Sequence, residues 1–346
     1  MRPAAFPRSL FSALALVLAS LASVAAFTAP CALAAARELR IARQYGIGYL
    51  PIMVMEHDRL IEKHAHAAGA GDVTITWRTF GDGSFANDAM IAGDLDIAAG
   101  GLGSFLTLWD RTRETLHVDG IAALDSMPML LNTRNSAVRD IGDFTAADRI
   151  AIAGVKISSQ AVTLQRAAAL RWGDASFARL DHLTVNMPHP VALQALVSGS
   201  GDVTAHFASP PFQYEELARR GIRTILDSYE VWGGPQTFVL AWTTEPFRER
   251  NPKLYAAFLA ALADATAIIR RDPRRAAAIY REMAGGKGMT EDDLVRMLDD
   301  PQIRFTLTPQ RVAPFAAFRA RIGTLRHVPR SWKDLFFPEI HGLDGS

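Results

Sequence analysis

Cysteine is almost missing from this chain. Cys31 is the only one in 346 residues, and it sits in an N-terminal stretch that reads as removable. The rest of the chain therefore has no disulfide, no thiolate metal site and no cysteine nucleophile. Charge of one sign is missing as well. The 37 basic side chains are balanced by 36 acidic ones, which argues against the basic surface of a nucleic-acid or membrane-surface binder. The motifs G-x-S-x-G, H-E-x-x-H and G-x-x-x-x-G-K-[ST] do not occur, so no familiar hydrolase, metalloprotease or nucleotide-binding signature stands out. Past the N-terminus no apolar run reads as long enough to span a bilayer.

What is present begins at the N-terminus. Arg2 and Arg8 precede an apolar run, Leu10–Phe27, and small residues fill Ala29–Ala36. Basic, apolar and small in that order predicts a secretory signal peptide cleaved near Ala34–Ala36. Pro30 and Thr28 before Cys31 depart from the pattern of a lipid-modified cysteine. Taking Arg2 and Arg8 away from the 37 basic residues leaves 35 against 36 acidic ones. About 310 residues then remain, enough for two lobes.

Short β-type runs alternate with helical stretches: Leu39–Gln44, Val73–Phe80, Leu95–Ala99, Val118–Leu124, Met129–Thr133, Arg149–Ala153, Leu183–Asn186 and Val203–Phe207. This alternation predicts parallel-dominated sheets with helices on both faces. The last third is helical. Asn251-Pro252 supplies an N-cap and a first-turn proline, and Leu254, Phe258, Leu262, Ala265 and Ile269 follow at helical spacing. Asp272-Pro273 starts the next helix, which stops at Gly285-Gly286, and amphipathic helices follow near Glu291–Leu298 and Gln310–Ile322. A faint internal echo links Ala89–Ala98 with Ala195–Ala205. Each ends a helix, turns at glycine and enters a strand behind an acid.

In open α/β sheets, ligands bind beyond the carboxyl ends of the strands. Those ends carry Gln44 and Tyr45, Gly83 and Ser84, Gly103 and Ser104, Asp125, and Ser158-Ser159-Gln160. Glycine lets the backbone approach a ligand, and the first N–H groups of a following helix lack intrahelical partners. Several such ends in one cleft would hold an anion with few formal charges. His206 is a candidate ligand hydrogen-bonder with no evident acid partner, hence not a general base. Trp232, beside Gly233 and Gly234, is the favoured aromatic among Tyr45, Tyr49, Phe207 and Phe212. Arg43 and Lys156 are candidate counter-charges. Glu56, His57, His64 and His66 read as a solvated helix face rather than a metal site. No cofactor is called for.

Several of these segments look alike to a known family. The strand ending in Gln44, the Gly48-Tyr49-Leu50-Pro51 helix start, Ala92–Ala98 and the Asn251–Leu259 helix resemble periplasmic binding proteins of nitrate, sulfonate and taurine ABC importers. That resemblance implies a type II periplasmic-binding-protein fold: two α/β lobes joined by a hinge of two crossing strands, Val118–Leu124 and Thr224–Tyr229. It implies one lobe of residues 37–123 plus 228–346 and a second of 124–227, with the ligand in the interlobe cleft. The family's ligand-holding helix start corresponds to Ser158-Ser159-Gln160. The stretch His206–Phe212 lacks the acid the family often places before its Pro-Phe pair, which speaks against an amino-group ligand such as taurine. The resemblance implies a monomeric periplasmic solute-binding protein, not an enzyme. Its partners would be a small anionic ligand and an ABC permease and ATPase. The alternatives are a thiamine-precursor pyrimidine protein on the same fold, or a periplasmic sensor subunit.

Overall fold

The computed structural model describes residues 37–346 apart from Ser200. The expected signal peptide and Cys31 lie outside the described residues. The strands in chain order are β1 (Arg37–Arg43), β2 (Val73–Thr79), β3 (Ile97–Gly101), β4 (Val118–Ala123), β5 (Asp125–Ser126) and β6 (Leu130–Thr133). They continue with β7 (Ile150–Ile152), β8 (Thr184–Asn186), β9 (Ala205–Ala208), β10 (Arg223–Asp227), β11 (Val239–Thr244) and β12 (Arg304–Phe305). All eight strands expected from the alternation are present within two residues of their expected bounds.

They form two five-stranded sheets, β2-β1-β3-β11-β4 and β10-β6-β9-β7-β8, and a small β12-β5 pair. Parallel pairing holds for three strands of each large sheet, β2-β1-β3 and β9-β7-β8; the other two strands of each pair antiparallel. The antiparallel strands lie where the chain passes between the sheets. It leaves the first after β4, through β5 to β6, and returns from β10 through the helix Ser228–Trp232 to β11. The expected crossing strand Thr224–Tyr229 stops early because Asp227 caps that helix, accepting the Tyr229 N–H at 2.7 Å. Tyr229 therefore sits on a helix.

β11 is absent from the sequence-based alternation, yet it lies between β3 and β4 and is antiparallel to both. Its Trp242 is fully buried and packs on Phe105 with ring centroids 5.7 Å apart. The helix Pro252–Arg271 buries Leu254, Phe258, Leu262, Ala265 and Ile269 along one face, against the helices Leu50–His57 and Leu60–Ala67. By length and composition alone it could cross a membrane, contrary to the sequence-based expectation. Half of its apolar window is nonetheless buried within the protein. Asn251 does not cap it; the Asn251 amide donates back to the Phe247 carbonyl at 3.2 Å. Asp272 does cap the next helix, accepting the Arg275 N–H at 3.0 Å.

Candidate functional site

The carboxyl ends of the two sheets face each other, and three residue groups expected from sequence meet there. Gln44 and Tyr45 follow β1, Ser104 lies in the first turn of the helix after β3, and Ser158, Ser159 and Gln160 open the helix Ser159–Trp172. Together with Tyr49 and His189, among others, they enclose a cavity of about 20 Å³, room for little more than one water. No carboxylate lines it.

The two helix starts come together because the chain is bare there. A Cβ on Gly101 would stand 2.8 Å from Ser159 Oγ, and one on Gly103 would press into the Ile157 and Ser158 backbone. The Gly103 N–H donates to Ser159 Oγ at 3.3 Å, and Ser158 caps its own helix by accepting the Ala161 N–H at 3.2 Å. The N-terminal ends of two helices from different sheets thus converge, and their partial positive charges add. Gln44 Nε2 is buried with no hydrogen-bond partner among the described residues. Gly83 packs directly against Ser104.

Further contacts close the cleft. Asn186, at the end of β8, donates to Asp82 Oδ2 at 3.0 Å and accepts the Gly154 N–H at 2.9 Å. The Ile47 N–H donates to the Pro210 carbonyl at 3.0 Å. Ser84 does not reach the cavity: its N–H donates to Asp82 Oδ1 at 2.8 Å, and its hydroxyl turns to the same oxygen. Tyr45 also borders a larger chamber of about 620 Å³, lined by Arg43, Met53, Phe212, Glu215 and Tyr280. Arg43 there lies 3.5 Å from Glu56.

The chemistry at this cleft and the topology beneath it invite comparison with known proteins. The sequence pattern of the NMT1-like family matches residues 35–283. The chain belongs to the NMT1-like family. Solved structures share its fold. The alkanesulfonate-binding protein SsuA of Xanthomonas axonopodis pv. citri, bound to MOPS, is 17% identical with a TM-score of 0.65, over 84% of this chain and 94% of that one. The periplasmic aliphatic sulphonate-binding protein SsuA of Escherichia coli is 18% identical with a TM-score of 0.60, over 87% and 92%. The periplasmic nitrate-binding protein NrtA of Synechocystis PCC 6803 is 11% identical with a TM-score of 0.64, over 87% and 84%. No curated protein sequence is significantly similar to the chain. The fold is that of the periplasmic binding proteins.

Besides Ser84, three residues expected at the site are placed elsewhere. Asp125 is fully buried and accepts the Val239 N–H at 3.1 Å, tying β11 to the crossing chain. Trp232 stacks on Phe315 at 4.7 Å, lies under Arg166 and donates to Thr163 Oγ1 at 2.9 Å. Its neighbouring glycines make a turn, not a ligand platform. His206 lies fully buried behind the cavity, and it does have an acid partner, Glu216 Oε1 at 2.5 Å. The two are ten residues apart on a strand and a helix, which sequence spacing does not pair. The early histidines also find acids: His57 lies 2.8 Å from Asp58, and His64 lies 2.7 Å from Asp264.

Sequence reasoning missed His189, which no motif marks, and Arg319. Arg319 lies buried in the last turn of the helix Val312–Arg321. It donates to the Gly103 carbonyl at 2.9 Å, to Thr107 Oγ1 at 3.0 Å and to the Thr324 carbonyl at 2.9 Å. These partners are neutral, and burial pushes its guanidinium down to about 10. A cation held against the first turn of the helix Leu102–Thr112 adds to the positive potential of that helix start.

Proposed function

We propose that this chain is an extracytoplasmic solute-binding protein. It captures a small anionic ligand of sulfonate, oxyanion or carboxylate type between its lobes and delivers it to an ABC importer's permease and ATPase. The observation that carries this reading is the meeting of two helix N-termini, Leu102–Thr112 and Ser159–Trp172, over a cavity lined by hydroxyls and amides and by no carboxylate. Such a site stabilises negative charge through oriented N–H groups, without a formal counter-ion. The reading takes residues 37–123 and 228–346 as one lobe and 124–227 as the other. The structural relatives named for sulfonate and nitrate binding support it, and the periplasmic location named for the Escherichia coli and Synechocystis proteins supports export through the N-terminal signal. The larger chamber beside Tyr45, with its aromatic and methionine walls, suits the uncharged part of a ligand.

A panel of methanesulfonate, longer alkanesulfonates, nitrate and small carboxylates, screened by thermal shift on the mature chain, tests the reading. A ligand at a hundred times its Kd adds about 2.7 kcal/mol, a rise of several degrees in Tm. Stabilisation by neutral or cationic solutes, with none by any anion, rules the proposal out.

A further inference from the structure

Four polar side chains run in line from the interior of the second sheet to the cavity. Glu216, on the helix Phe212–Leu217, and His206, on β9, are fully buried, with His206 Nδ1 2.5 Å from Glu216 Oε1. His206 Nε2 lies 2.8 Å from His189 Nδ1. His189 Nε2 lies 3.2 Å from Gln160 Nε2, and both His189 and Gln160 line the cavity.

The buried end of the line sets its direction. Asn132 Oδ1 accepts from the Thr224 hydroxyl at 2.8 Å, so Asn132 Nδ2 donates to the Gln213 carbonyl at 3.3 Å and to Glu216 Oε2 at 2.8 Å. Glu216 receives donors at both oxygens, the role of a carboxylate, so His206 carries its proton on Nδ1. A neutral His206 then accepts at Nε2. His189 donates from Nδ1 and accepts at Nε2, and Gln160 donates its amide N–H. An amide that spends its nitrogen on His189 offers its carbonyl oxygen elsewhere.

We propose that Glu216, His206 and His189 are positioning residues that hold Gln160 with its carbonyl oxygen toward the cleft. Gln160 thereby selects a ligand that donates a hydrogen bond beside its anionic group. The part of this that concerns the ligand rests on reading the cleft as the binding site.

Proton count decides the direction of the line. One proton added to the imidazole pair makes His189 Nε2 a donor, whichever ring holds the charge. Gln160 must then turn its oxygen to His189 and its NH₂ to the ligand. An acceptor-only anion such as methanesulfonate therefore binds with uptake of one proton, whereas a ligand with its own N–H or O–H does not need it. Around the pair, β6 and β10 bring Asn132 and Thr224, and β7 sets Ala151 opposite His206. Phe212 stacks on His189 at 5.5 Å, and Glu215, beside Glu216, lines the larger chamber. Burial, and after it the neighbouring His206, push the His189 imidazole well below its ordinary value. The hydrogen-bond directions set by Asn132 and Glu216 place the Gln160 carbonyl outward when His189 is neutral.

Nitrogen-15 NMR of the histidine rings in the ligand-free chain tests the positioning directly. Both His189 and His206 are expected as Nδ1–H tautomers at neutral pH; finding either ring as Nε2–H overturns the proposal. Calorimetry with methanesulfonate, in buffers of different ionisation heat, tests the coupling. We expect uptake of one proton and an affinity that falls roughly tenfold per pH unit above the pair's titration, with Gln160→Ala removing that slope. Binding of methanesulfonate with no pH dependence also overturns it. If both tautomers are as expected but no anion binds at any pH, neither methanesulfonate and nitrate nor the hydroxyl-bearing 2-hydroxyethanesulfonate, the positioning stands and the reading of the cleft as an anion site falls.

Discussion

Ser159 shows how a single side chain can serve two states. Its hydroxyl accepts the Gly103 N–H from the opposite sheet, and it lines the cavity. A hydrogen bond to a charged group is worth about 1.5–3 kcal/mol, so Ser159→Ala should weaken ligand affinity roughly ten- to a hundredfold. Because its partner lies across the cleft and not within its own lobe, the Tm of the ligand-free chain should change little. Calorimetry and melting on the same variant check both halves. Asp125 behaves differently. Burial pushes its carboxyl well above the ordinary value, Oδ2 has no hydrogen-bond partner among the described residues, and Gly48 packs against it. The folded chain therefore keeps a proton that the unfolded chain releases above about pH 3.9, and stability falls as pH rises from there. Asp125→Asn should remove that slope, raising Tm at pH 7 and leaving it nearly unchanged near pH 4. A Tm difference that stays constant from pH 4 to 8 contradicts this account.

At the scale of the element, the two helix starts depend on missing side chains. Gly103 lies in the first turn of the helix Leu102–Thr112, where a Cβ would meet the Ile157 carbonyl and come 2.7 Å from the Ser158 carbonyl carbon. Backbone atoms cannot swing aside as a flexible side chain can. Gly103→Ala should thus keep the helix, where alanine is the better former by about 1 kcal/mol, and still prevent the two helix ends from meeting. The expected result is an affinity loss beyond a hundredfold with no loss of ligand-free Tm. If affinity stays within threefold of the parent, the close approach of these helices is not part of binding. The glycine at this helix start was legible in the sequence as a turn-former. Its second role was not, because the atoms it makes room for are 54 and 55 residues away along the chain.

For the whole molecule, the cavity is smaller than any sulfonate, so the proposed function requires that the lobes part to admit a ligand and close to hold it. Small-angle scattering should show a smaller radius of gyration with ligand than without. Asn186→Ala, which removes the contact to Asp82 across the cleft, should shift the ligand-free chain toward the larger value. Identical scattering in all three samples would mean that no hinge motion accompanies binding. Eight of the strands, the helices between them and the glycine-rich loop ends were readable from residue order, because turn chemistry and hydrophobic period are local properties. The same holds for the helix starts at Ser158 and Asp272. The position of β11 between β3 and β4, the burial of Trp232 and Asp125, the Glu216–His206–His189–Gln160 line and the neutral setting of Arg319 were decided only by tertiary structure. Each depends on which distant segments share one interior, and on what burial then does to a polar group. A linear sequence carries no distance between such segments, so it could name the hydroxyls and amides of the site but not the side chains behind them that orient those groups.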